Sequence, residues 1–154
     1  MRPSRTMLRN FPDVVLHAEE LAVKRHPDYA GAKSGDALAA RRLVRELYSG
    51  AAQQRLTELC GSRAGELVAA HALEAGAVNG TPVALARELE RKLGLRTNDS
   101  IVQTSSVGHT GASGFQRLAH QALFAGDVRP GTRYVVVDDF VGQGGTLANL
   151  IGFL

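Results

Sequence analysis

The sequence is poor in residues that several function classes require. Cys60 is its single cysteine among 154 residues, so neither a disulfide framework nor a cysteine-rich zinc site can form within one chain. Tryptophan is absent and aromatic residues make up 5%, so a core must be built mostly from Leu, Val and Ala. No apolar run approaches the roughly 18 residues of a membrane span, and no signal-peptide pattern follows the N-terminal arginines. We therefore expect a cytoplasmic protein without a membrane partner.

The charge balance sets few limits on function. The formal net charge is +3, and its densest basic group is Arg41, Arg42 and Arg45, which we interpret as a solvated helix face. Such a balance is compatible with a small anionic ligand, and a nucleic-acid partner is not expected. With 44% hydrophobic and 21% charged residues, the composition is typical of a globular domain with a buried core.

The apolar pattern changes near Gly61, where we place a boundary between two regions. Residues 1–60 predict a helical N-terminal segment, a possible hood or cap, with helices over 13–25 and 34–50 and a shorter third helix. In the second of these helices, Leu38, Leu43 and Leu47 are expected on one face. Residues 61–154 predict an α/β core in which strands and helices alternate. The predicted elements of this core are strands within 66–74, 100–105 and 133–139, and helices over 81–94, 114–126 and 144–154. This alternation favours a parallel sheet with crossover helices.

The stretch from residue 133 to residue 146 carries the clearest chemical signal. Three valines run into Asp138 and Asp139, and a glycine-rich turn follows where a helix is expected to begin. Ligands of open α/β sheets bind at the carboxyl ends of the strands, and backbone amides at a helix start favour an anion. A ribose 5-phosphate unit would fit, with its hydroxyl groups on the aspartates. Its phosphate would bind the turn formed by Gly142, Gln143, Gly144, Gly145 and Thr146. The alternative is a structural turn beside solvated aspartates.

The motif VVVDDFVGQGGT, residues 135–146, resembles the phosphoribosyl diphosphate signature of type I phosphoribosyltransferases. The resemblance implies a parallel-sheet, Rossmann-like core and transfer of phosphoribosyl from phosphoribosyl diphosphate to a nitrogen acceptor such as a nucleobase, with release of diphosphate. It also implies Mg²⁺ brought with the diphosphate, a role in nucleotide metabolism, and Asp138 and Asp139 beside an oxocarbenium-like transition state. Gln143 departs from the family pattern, which most often has Thr or Ser there.

The same resemblance implies two further parts of the site. A loop after the first core strand, just before the predicted helix 81–94, would contact diphosphate, and Asn79 and Gly80 occupy its place, although Asn-Gly is equally a plain turn signal. A loop over residues 105–114 would close over the reacting centre. There His109, with Arg117 just beyond, would neutralise or protonate the leaving diphosphate. The alternative is a solvated histidine in a surface loop.

Other readings of the sequence stay open at this point. A type I core normally continues beyond the helix in which Leu154 lies, so we expect a truncated chain or a homodimer that supplies the missing surface. The alternatives to a transferase are a non-catalytic ribose-phosphate or nucleotide-binding regulatory module, or an inactive remnant. A nucleotide-dependent methyltransferase is disfavoured because no G-x-G-x-x-G turn follows an earlier strand. The acceptor base is not identified.

Overall fold

The computed structural model describes residues 12–61, 65–72, 79–105, 121–141 and 144–154, and these form a mixed α/β structure. Four helices precede the first strand: α1 (Glu20–Arg25), α2 (Tyr29–Lys33), α3 (Ala37–Leu47) and α4 (Gly50–Cys60). The remaining described elements, in chain order, are β1 (Glu66–Ala69), α5 (Gly80–Leu93), β2 (Arg96–Thr97), β3 (Val102–Gln103), β4 (Phe124–Ala125), β5 (Tyr134–Val137) and α6 (Gly145–Phe153).

Helix α3 forms where the sequence predicts a helix, but its buried face differs. Asp36 caps it, because one carboxylate oxygen accepts hydrogen bonds from the backbone amides of Leu38 and Ala39. Leu43 is fully buried, whereas Leu38, which was expected on the same face, is 64% exposed. Five residues at about 100° each place Leu38 roughly 140° around the helix from Leu43, so the two cannot share one narrow face.

The first helix is much shorter than predicted. Residues 13–25 were expected to be helical, but α1 begins only at Glu20. Val14 and Leu16 are exposed, so these two side chains contribute no apolar packing that would stabilise an earlier start. Instead the carbonyl of His17 accepts a hydrogen bond from the amide of Ser49, which ties this segment to the start of α4. The third predicted helix corresponds to α4, which is longer than expected and is capped by Ser49.

The centre of the fold is a three-stranded sheet in the order β2-β1-β5, with both pairings parallel. The prediction of a parallel sheet is thus confirmed for β1 and β5, whereas β2 lies outside the predicted strands. Val135 and Val137 of β5 pack into one hydrophobic cluster, and Tyr134 and Val136 pack into a second cluster. Because both faces are covered, β5 can be a continuous apolar run, as the sequence indicated.

The first hydrophobic cluster joins the N-terminal helices to the sheet. It contains Val23 of α1 and Leu43 of α3 together with Leu67 of β1 and Val137 of β5. The helices and the strands therefore share one core. The division of the chain into segments 1–60 and 61–154 stays a prediction.

The region between β2 and β5 differs from the prediction in two ways. β3 lies where a strand was expected, but it pairs antiparallel with β4 in a separate two-stranded sheet. An isolated parallel bridge between Ala72 and Gln103 links this pair to the segment that follows β1. β4 also lies inside the range 114–126 that predicted a helix; residues 106–120 are outside the described part. Phe124 is buried in the second cluster, and this tertiary packing overrides the local helical pattern.

Helix α5 confirms one predicted boundary and corrects the other. Gly94 ends it in the left-handed conformation, at φ 67°, as expected for a helix stop. The cap at its start is Asn79 and not Thr81: the Asn79 side chain accepts a hydrogen bond from the Thr81 amide at 3.2 Å. Thr81 itself is buried within the helix.

Within the ranges given above, none of the helices combines the length and the apolar character needed to span a membrane.

Substitution of Gly126 by Ala tests the packing of β4 against the neighbouring turn. Gly126 has φ +139°, and a Cβ there would lie 2.3 Å from the carbonyl oxygen of Ser100. We expect Gly126→Ala to lower the free energy of unfolding clearly more than Gly131→Ala. Gly131 also has a positive φ, but a Cβ there meets nothing within 4 Å.

The control substitution should cost roughly 1–2 kcal/mol from backbone strain alone. The overlap at Gly126 should add roughly 1–3 kcal/mol. Urea unfolding of both variants measures the difference, and equal losses would contradict the described contact between Gly126 and Ser100.

Candidate functional site

Asp138 and Asp139, here called the acid pair, follow β5 directly at its carboxyl end. β5 and β1 run parallel with Ala69 opposite Val137, and the amide of Ala70 donates to the carbonyl of Val137 at 2.7 Å. The acid pair therefore begins where this ladder ends, at the sheet edge at which α/β proteins bind ligands. This is the position that the sequence predicted for these two residues.

Asp139 is held by side chains from two distant parts of the chain. Lys33, the last residue of α2, donates from Nζ to Asp139 Oδ2 at 2.5 Å. Asn79 donates from Nδ2 to the same oxygen at 2.7 Å, while its own Oδ1 caps α5. The side chain of Asp139 is 9% exposed and that of Lys33 is 37% exposed. The N-terminal helices, α5 and β5 thus converge on one carboxylate.

The two carboxyl groups of the acid pair differ in ionisation. Burial, reinforced by the negative charge of Asp139, raises the pKa of Asp138 to about 8. Burial also acts to raise the pKa of Asp139, but hydrogen bonds from Lys33 and Asn79 outweigh it and hold that pKa below its usual value. Near neutral pH the acid pair therefore holds one proton and one negative charge. Such a pair can both donate and accept hydrogen bonds.

Residues of the N-terminal region also lie near Asp139 and Phe140. Burial lowers the pKa of His17, and the charge of Asp139 opposes this shift. Phe140, next in the chain, meets Tyr29 edge-on with ring centroids 6.4 Å apart. The ammonium groups of Lys24 and Lys33 lie 5.8 and 5.7 Å from the centre of the Phe140 ring. The N-terminal helices thus cover the loop that follows β5.

Sequence reasoning missed Lys33 and His17 as members of this site. Lys33 lies 106 residues before Asp139. Neither Lys33 nor His17 belongs to a motif. A local pattern carries no signal for such a contact. Only the packing of α2 against the end of β5 brings them together.

The described part of the glycine turn forms the start of α6. Gly144 adopts the left-handed conformation at φ 70° and its carbonyl accepts the first helical hydrogen bond, from Ala148. Among the described residues, no atom would lie within 4 Å of a Cβ on Gly144 or Gly145, so these residues leave this side of the turn open. Thr146 is half-buried in the first turn of α6. Gly142 and Gln143 lie outside the described residues, as do His109 and Arg117.

The two residues predicted to contact diphosphate have structural partners. Asn79 caps α5 and donates to Asp139. At Gly80 a Cβ would lie 3.3 Å from the Cβ of Ala40, so glycine permits the close approach of α5 and α3. Packing accounts for Gly80 without a ligand; its predicted role in binding stays a prediction.

No family model matches the chain, and no solved structure matches it. The chain is 39% identical over 153 residues to Protein TraN of Escherichia coli, an alignment that covers 99% of this chain and 34% of that protein. It is 36% identical over 145 residues to an uncharacterized protein of Haemophilus influenzae, with 94% of this chain and 32% of that protein covered. The chain thus spans about a third of the length of these curated relatives.

These comparisons correct the function predicted from residues 135–146. The chain aligns over nearly its whole length with a protein named TraN, and neither relative is described as a phosphoribosyltransferase or a protein of nucleotide metabolism. The prediction of phosphoribosyl transfer is therefore wrong. The reaction was expected to place Asp138 and Asp139 beside a developing positive charge. Here Asp139 is paired with Lys33, and the raised pKa of Asp138 keeps that carboxyl largely neutral.

The ionisation of Asp138 predicts a pH-dependent effect of Asp138→Asn on stability. The pKa of Asp138 in the folded chain is raised from 3.8 to about 8, so the folded state binds the proton more tightly than the unfolded state. The stabilisation of the folded state by this bound proton is complete below pH 4 and declines as the pH rises towards 8. The asparagine amide cannot ionise. We therefore expect the variant to gain stability relative to the wild type between pH 5 and pH 8.

Urea unfolding at pH 5, 6.5 and 8 measures this change. Asp127→Asn is the control, because Asp127 is exposed and should give a difference that is independent of pH over this range. A constant or decreasing difference for Asp138→Asn would contradict the raised pKa.

Proposed function

We propose that the acid pair and the start of α6 bind a small molecule that carries hydroxyl groups and an anionic group. The observation that carries this proposal is the contact of Lys33 and Asn79 with Asp139 of the acid pair, at the carboxyl end of a parallel strand. No transfer reaction is assigned to the site.

The hydrogen-bonding capacity of the acid pair supports a hydroxylated ligand. An ionised carboxylate offers about four lone-pair sites, and on Asp139 the side chains of Lys33, Asn79 and Asp138 use three of them. The carboxyl of Asp138, which is mostly protonated near neutrality, shares its hydrogen with Asp139 and accepts from the Asp139 amide, which leaves it further acceptor capacity. Neighbouring hydroxyl groups donate and accept in the same way, so they match this pair better than a purely apolar ligand does.

The start of α6 supports the anionic part of the ligand. The first amides of a helix have no partner within the helix, and the helix dipole favours negative charge at that end. The open side of Gly144 and Gly145 leaves room for a ligand to approach these amides. Lys33 adds a positive charge at the acid pair. Together they offset the repulsion that Asp139 would exert on an anion.

Mg²⁺ enters this proposal only as an ion carried by the ligand. The described residues contain no group of three or more His, Cys, Asp or Glu side chains that could hold a metal ion. Mg²⁺ typically keeps several waters and binds proteins through one or two carboxylates plus substrate phosphates. Its ligands here would therefore be mainly oxygens of the bound molecule.

We further propose that the sheet belongs to a type I phosphoribosyltransferase-like, Rossmann-like core that has kept the fold without the reaction. The parallel order β2-β1-β5 and the position of residues 135–146 between β5 and α6 support this assignment. A shared fold does not imply a shared function. The names of the relatives specify no ligand, so the ligand class rests on the site alone. A homodimer and a cytoplasmic location stay predictions.

Calorimetry with three probes tests the ligand class. Ribose 5-phosphate carries both features, ribose carries only hydroxyl groups, and inorganic phosphate carries only the anion; each is titrated with and without Mg²⁺. We expect ribose 5-phosphate to bind most tightly. The double variant Asp138→Asn, Asp139→Asn should weaken it at least tenfold, because charged hydrogen bonds are worth about 1.5–3 kcal/mol.

Asp127 is exposed and lies in a different loop, so the control variant Asp127→Asn should bind like the wild type. Circular dichroism verifies that each variant is folded. Unchanged binding in a folded double variant, or equal affinities for all three probes, would refute the proposed site.

A further inference from the structure

We infer that Lys33 selects the ligand of the acid pair: it makes the site suitable for a hydroxylated anion and unsuitable for a free divalent cation. The inference rests on the proposed function for its ligand class. The role of Lys33 itself follows from its contact with Asp139 and from the way α2 is anchored.

The backbone that carries Lys33 has little freedom to move. Lys33 ends α2, and its neighbour Ala32 is completely buried in the first hydrophobic cluster. Gly31 lies so close to α3 that a Cβ on it would be 3.1 Å from the Cβ of Ala39. Because α2 is packed in this way, the Lys33 side chain is directed to the end of β5 by the core.

The Lys33 side chain is bound at the acid pair but still reaches solvent. Its ammonium group donates to Asp139 Oδ2 at 2.5 Å and lies 5.7 Å from the centre of the Phe140 ring. Lys33 is 37% exposed, whereas Asp139 is 9% exposed. A ligand that approaches Asp139 therefore contacts the ammonium group before the carboxylate or together with it.

The charges around Lys33 explain the selectivity. Asp139 carries the negative charge of the acid pair, and Lys33 balances it; Asn79 is neutral, and burial disfavours the charged form of His17. An anion meets a site without excess negative charge and gains an ammonium partner. A free Mg²⁺ must displace Lys33 and also take the proton from Asp138. Without Lys33, binding of the anion is weakened and binding of free Mg²⁺ is favoured.

The chain provides a matched control for a test of Lys33. Lys24 lies 5.8 Å from the centre of the same Phe140 ring, but it pairs with Glu20 of its own helix. Lys33→Met and Lys24→Met therefore remove the same charge from one aromatic ring, and only the first touches Asp139. Lys33→Arg restores a positive charge at the critical position.

The first measurement needs no ligand. Carboxyl-carbon NMR follows the titration of the acid pair, whose two apparent pKa values belong to both groups together. In Lys33→Met the lower apparent pKa should rise, since the hydrogen bond that does most to lower the pKa of Asp139 is lost. Lys24→Met and Lys33→Arg should titrate like the wild type. An unchanged titration in folded Lys33→Met would overturn the inference.

The second measurement compares the binding of ribose 5-phosphate and of Mg²⁺ alone. In Lys33→Met we expect ribose 5-phosphate to bind at least about tenfold more weakly and Mg²⁺ at least about tenfold more tightly. Lys24→Met should match the wild type for both probes, and Lys33→Arg should recover most of the anion affinity. Absence of ribose 5-phosphate binding in the wild type would overturn the proposed function. Equal binding of both probes by the wild type and Lys33→Met would overturn the role of Lys33.

Discussion

The parallel pairing of β1 with β5 is the constraint on which the rest of the structure depends. It joins residues from the middle of the chain to residues near its described end, with Glu66 opposite Tyr134 and Ala69 opposite Val137. Alternate side chains of β5 then pack into the two hydrophobic clusters, one on each face of the sheet. This packing holds the elements on both faces against the sheet. The acid pair lies where it does because the ladder stops at Val137.

The features that could be predicted from the sequence are those that depend on neighbouring residues. The valine run of β5, the Asp36 cap of α3 and the Gly94 stop of α5 each follow from a few adjacent positions. The position of the acid pair at a strand end follows from β5 in the same way. Local pattern was thus sufficient for the two longer strands of the sheet, β1 and β5, and for one half of the candidate site.

The features that the sequence did not predict depend on contacts between distant residues. β2 has only two residues, too few to form a recognisable pattern, and its place beside β1 is set by pairing. β4 lies within a helical pattern because Phe124 is buried in the second cluster. Lys33 belongs to the site only through the docking of α2. The motif of residues 135–146 suggested a reaction, but the ionisation of its aspartates depends on partners that the motif does not contain.

The separation between β1 and β5 has a consequence for folding during synthesis. A nascent chain that has left the ribosome as far as residue 130 already contains β1 and β2, but Leu67 and Val68 still lack β5 beside them. Contacts of this separation form slowly, and the unpaired strand edge stays open to other chains meanwhile. Lys33 is synthesised early, and its ammonium group lacks the Asp139 carboxylate during the same interval. Pauses in translation before residue 134 should therefore lengthen the period in which this side of β1 has no partner strand.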